Sequence, residues 1–80
     1  MDKSIHTDKY KNVIALLRKR REESQITQEQ LAKMLDVRQA VISKIENCER
    51  RLDIVELYEI CNKLDISFID FVKEINSMLK

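Results

Sequence analysis

The chain runs for 80 residues without a glycine or a proline. Every turn must therefore be made by residues that carry a side chain, and no glycine-rich loop is available to cradle a phosphate. With abundant Leu, Ile, Lys and Glu, this composition favours an all-α fold with short connections. Eighty residues enclose one modest core, so a single domain is expected. No apolar run approaches membrane-spanning length and the N-terminus has no apolar signal core. A cytoplasmic protein with no membrane partner is the expectation.

Residues 27–47 carry the clearest local pattern. Leu31 and Leu35 stand one helical turn apart, and Ile42 and Ile45 keep the i, i+3 spacing of a second short helix. Val37 adds an apolar residue between them, and Ala32 is small where two helix backbones must approach closely. Two helices joined by a tight turn project the second outward as a rod that suits a DNA major groove.

The other elements follow from periodicity and caps. Residues 1–8 are polar, unpatterned and expected to be flexible, leaving 9–80 as the folded domain. A first helix is expected from about Lys9 to about Glu23, with Tyr10, Val13, Ile14 and Leu17 on one face. Thr27 with Gln30 has capping-box spacing, as do Asp53 with Glu56 and Ser67 with Asp70. The third helix should span about Arg38 to Asn47, and the fourth should end near Leu64 with Leu57, Ile60, Cys61 and Leu64 inward. The fifth is more apolar than one core contact needs. Its surplus suggests a homodimer interface at Phe68, Phe71, Val72, Ile75 and Leu79.

Chemistry-bearing residues are sparse. His6 has no neighbouring metal-type ligand, and two cysteines do not make a disulfide framework. Cys61 reads as a small core residue and Cys48 as a more exposed thiol whose redox role the sequence leaves open. There is no nucleophile–base pair and no metal cluster, so neither enzyme activity nor a metal or cofactor is expected. The net charge is only +1, but it is unevenly spread: residues 1–51 hold twelve Lys or Arg against eight Asp or Glu, and residues 52–80 three against six. A basic end facing nucleic acid would produce that asymmetry.

Residues from about Val13 to Val72 resemble the phage-repressor and Cro-type helix-turn-helix family, also called the xenobiotic-response-element family. The resemblance rests on LeuArgLysArgArg, IleThrGlnGluGlnLeuAla, ValIleSerLysIleGluAsn, GluArgArgLeuAspIleValGluLeu and LeuAspIleSerPheIleAspPhe, in order and at the expected spacings. It implies a five-helix repressor-like domain with the motif at helices 2 and 3. Asp36, Cys48 and Asp65 stand where family members commonly place glycine, and Arg38 replaces the usual capping Ser or Thr.

Helical spacing and the resemblance agree that Gln39, Ala40, Ser43 and Lys44 face away from Ile42 and Ile45, as base-reading candidates. Gln28, Arg38, Asn47 and one of Arg50 or Arg51 are candidates for phosphate contacts. The resemblance further implies an architectural ion pair between Arg21 and Glu46. The expected function is a DNA-binding transcriptional regulator, most simply a repressor that reads a palindromic operator as a homodimer. The alternative is an antitoxin or other interaction module that uses the same fold to bind a partner protein such as a toxin.

Overall fold

A computed structural model describes residues 6–80; of the segment 1–8 expected to be flexible, residues 1–5 lie outside the described residues. Five helices follow in order: α1 (Asp8–Glu23), α2 (Gln28–Leu35), α3 (Gln39–Glu46), α4 (Ile54–Lys63) and α5 (Phe68–Leu79). There is no strand among the described residues. α2 packs on α3 and α4, α1 on α3, and α4 on α5. None of these helices is long and apolar enough to cross a membrane.

The starts are set by side-chain caps. Thr7 accepts from the Tyr10 N–H, so α1 begins just before the expected Lys9. Thr27 with Gln30 and Asp53 with Glu56 form full capping boxes, each satisfying two otherwise orphaned N–H groups. At α5 the Ser67 hydroxyl accepts from the Asp70 N–H. Asp70 is one methylene shorter than Glu, and no return bond from it joins that cap. Arg38 precedes α3 in extended backbone and gives no side-chain cap, so α3 starts without this local support.

The ends share one geometry. Gln25, Asp36, Cys48 and Asp65 all have φ between 57° and 60°, in the left-handed region. At each junction two N–H groups turn back onto the helix. Asp36 N donates to Lys33 O at 3.2 Å and Val37 N to Ala32 O at 2.9 Å. The same pair of bonds recurs after α1, α3 and α4. These are Schellman closures made without glycine. Three of the four positions are where the family resemblance places glycine; Gln25 is a fourth that it did not indicate.

The core forms where the helices meet. Leu17, Leu31, Ala32, Ile42, Ile60 and Phe71 belong to one buried cluster, and Cys61 is fully enclosed as expected. Burial pushes the Cys61 thiol pKa up, which keeps it protonated and inert. Two expectations are corrected. Val37 is exposed, because it lies beyond α2 in the closing turn instead of inside a helix interface. Phe71 is 0% exposed within the protomer, so it cannot serve a dimer surface. Phe68 and Ile75 also pack against the core, whereas Ile69 and Val72 on the same helix stand in solvent. Only tertiary contact decides which side of so broad an apolar stripe turns inward.

Replacing the left-handed residues tests the closures. A left-handed L-residue costs about 1–2 kcal/mol, and glycine returns about half of that gain as unfolded-state entropy. Gln25→Gly and Cys48→Gly should each raise stability by about 0.5–1 kcal/mol in urea unfolding. Asp36→Gly and Asp65→Gly should gain less, since Asp tolerates this region better. Equal gains at all four would remove the conformational explanation.

Candidate nucleic-acid interface

The motif helices are held by a buried ion pair. Arg21 Nε donates to Glu46 Oε2 at 2.7 Å and Arg21 Nη2 to Oε1 at 2.9 Å, a two-pronged pair between α1 and α3. The two side chains are only 8% and 4% exposed. Arg21 Nη1 donates to the Ile26 carbonyl at 2.7 Å, which fixes the loop before α2. Gln28 Nε2 donates to Glu46 Oε1 at 2.9 Å, and Arg18 Nε stands 3.9 Å from the same oxygen. The hydrogen bond that Arg21 donates to Glu46 raises the Arg21 pKa above its ordinary value. No buried side-chain nitrogen or oxygen among the described residues lacks a partner. The expected Arg21–Glu46 pair is therefore present, and Gln28 and Arg18 join it.

α3 divides its surface sharply. Ile42 and Ile45 are buried and anchor it. Gln39, Ala40 and Lys44 are exposed on the other side, and Ser43 between them is half-buried. Asn47 Nδ2 lies 3.5 Å from Ser43 Oγ, a weak bond that leaves most of the amide's capacity free. A polar strip with a methyl group at Ala40 matches the donor, acceptor and methyl pattern that base edges offer in a major groove.

The candidate phosphate contacts fall in different places. Arg38 and Arg51 are exposed near opposite ends of α3, and Asn47 is exposed at its C-terminal end. Gln28 is half-buried with its amide engaged by Glu46. Arg50 turns toward α4, where Nη1 donates to Glu56 Oε1 at 3.2 Å and Nη2 to Oε2. That guanidinium holds the Glu56 carboxyl below the usual carboxylate range. The Tyr10 hydroxyl accepts from the Leu52 N–H at 2.9 Å and fastens the same connection to α1. Sequence reasoning missed the roles of Arg18, Tyr10 and Glu56. Glu56 was legible only as a cap; nothing in the linear pattern ties Tyr10 to a residue 42 positions away.

Two measurements follow. Glu46→Ala should destabilise the domain by about 3–5 kcal/mol, because it leaves the Arg21 charge buried and unpaired. The apolar double variant Arg21→Met with Glu46→Leu should recover most of that loss; additive losses would contradict a pairwise clamp. Glu56 should add stability that is complete above the ordinary carboxylate pKa and lost as pH falls through its depressed folded value. Arg50→Ala should remove most of that contribution from the pH profile of unfolding, the bond from the Asp53 N–H to Glu56 retaining a smaller part.

Comparison with known proteins agrees with this geometry. The helix-turn-helix family profile matches residues 17–71. A solved structure described as an XRE-family like protein from Pseudomonas syringae pv. tomato str. DC3000 superposes with a TM-score of 0.88 at 33% sequence identity. The match covers 99% of this chain and 96% of that one. No curated protein is significantly similar in sequence. With the motif pair clamped at Glu46 and α3 facing outward, the chain belongs to the Cro/C1-type, xenobiotic-response-element family of helix-turn-helix DNA-binding regulators.

Proposed function

We infer that the protein reads a palindromic operator as a homodimer and represses by occupying it. The observation that supports this best is the polar face of α3: Gln39, Ala40 and Lys44 are exposed while Ile42, Ile45 and Glu46 hold the helix from behind. Gln39 suits the donor–acceptor edge of adenine, Lys44 the acceptors of guanine, and Ala40 a thymine methyl. Arg38, Asn47 and Arg51 would meet phosphates on either side and set the register. Gln28 would do so through an amide whose orientation Glu46 fixes. Such contacts supply most of the salt-sensitive affinity.

Dimerisation would use the outer side of α5. Ile69 is 66% exposed, Val72 and Met78 are also open, and Leu79 is half-buried. A chain with a net charge of +1 has little repulsion to keep such a surface from associating. Symmetric pairing would cover it and set two reading helices about 34 Å apart, one turn of DNA.

Selection from random DNA should return inverted half-sites; a reproducible single asymmetric site would overturn the dimeric reading. Gln39→Ala or Lys44→Ala should lower specific affinity by about 1–3 kcal/mol and relax preference at one base position per half-site. An unchanged base preference would exclude this facing of α3. Ile69→Lys should shift the protein toward monomer in sedimentation and weaken operator binding while leaving the thermal unfolding midpoint almost unchanged. Sedimentation of the wild type as a monomer at high micromolar concentration would end that assignment.

A further inference from the structure

Ile42 and Ile45 form the inward stripe of α3; Glu46 leaves one side of that stripe and Val41 the other. On the Val41 side, the α2–α3 turn, α3 and α4 enclose a groove of about 170 Å³. Its walls include Val37, Val41, Ile45, Val55 and Ile60, with Glu59 among them. None of the base-reading candidates lines it.

Three observations define what fits. The volume is below the roughly 300–1,000 Å³ of small-molecule sites and suits one bulky apolar side chain. Apolar surface opens at the cavity mouth: of its wall residues, Val55 is 64% exposed and Val37 41%. A pocket for one anchor within a wider apolar margin is how proteins bind proteins. Glu59 is exposed with no ion-pair or hydrogen-bond partner among the described residues, while its neighbour Glu56 is engaged by Arg50. The unmatched charge calls for a cation beside the anchor.

We propose that this groove is a docking site for a second protein, which inserts one bulky apolar side chain flanked by Lys or Arg. Groove-on-groove pairing about a two-fold axis close to Glu59 would bring the two Glu59 carboxylates together, which disfavours that form of self-pairing. The groove shares no residue with the base-reading candidates, but Val37 and Val41 flank Arg38, Gln39 and Ala40 in the chain. A contact at Val37 and Val41 bears directly on the motif turn and on α3, so occupancy is felt at the reading helix.

The test uses the whole chain, labelled for amide NMR, and a synthetic peptide with a central Phe flanked by two Lys on each side. Shifts should concentrate at Val37, Val41, Val55, Glu59 and Ile60. Replacing Phe by Ala, or Lys by Glu, should weaken binding at least tenfold, and Val55→Asp should abolish it. Glu59→Lys should invert the preference toward the Glu peptide, a result that misfolding cannot mimic. Shifts spread over the surface, equal response to both peptides, or no inversion would overturn the proposal. So would sedimentation in which wild type dimerises and Val55→Asp does not, which would assign the groove to a second copy.

Discussion

The carboxylate of Glu46 is the point on which the arrangement of the motif depends. α3 has eight residues, no side-chain cap at its start and too few turns to persist alone. Its direction is set by two attachments: Ile42 and Ile45 in the core, and Glu46 locked to Arg21. The same carboxylate takes the Gln28 amide, and Arg21 takes the Ile26 carbonyl, so the entry to α2 is fixed by the group that fixes α3. A buried pair of this kind adds little net stability, since desolvation offsets attraction. What it adds is orientation, because two parallel bonds from a planar guanidinium admit one relative placement of the helices.

Around that clamp α3 carries four separate duties. One side is buried, one is clamped, one presents polar groups to solvent, and one borders the groove beneath Val55. A helix in its position has no redundant face, which is why its sequence mixes Gln, Ala, Ser and Lys with Val and Ile. The electrostatics follow the same division. Basic residues gather in the half that includes α3, and the Glu56 and Glu59 carboxylates lie on α4.

The closures show how a chain without glycine still ends its helices. Among the described residues four other than glycine occupy the left-handed region, and each joins a pair of returning backbone bonds. Those bonds satisfy carbonyls that would otherwise be stranded, and an apolar residue follows three of the four: Ile26, Val37 and Ile66. Of these, Ile66 is buried and Ile26 half-buried, so packing offsets part of the backbone strain there. Val37 is exposed and Glu49 is charged, so the turns on either side of α3 have the least such compensation.

The five helices and the caps at Thr27, Asp53 and Ser67 were legible in the sequence, because each depends on residues within one or two turns of one another, whereas the left-handed positions at Asp36, Cys48 and Asp65 were indicated by the family resemblance. The exposure of Gln39, Ala40 and Lys44 was legible for the same reason, since helical period relates them to Ile42 and Ile45, while Ser43 of the same set is half-buried. Gln25 was hidden because nothing local distinguishes it from an ordinary loop residue. The facing of α5 was misjudged in the sequence, which set Phe71 on an outward surface: its apolar residues cover most of the helix circumference, and only packing against α4 draws Phe71 in and leaves Ile69 out. The engagement of Gln28 by Glu46, of Leu52 by Tyr10 and of Arg50 by Glu56 belongs to the tertiary structure as well. Local spacing thus determined the elements and the outward side of α3, whereas the fate of each charge and the inner side of α5 were settled by which helices meet.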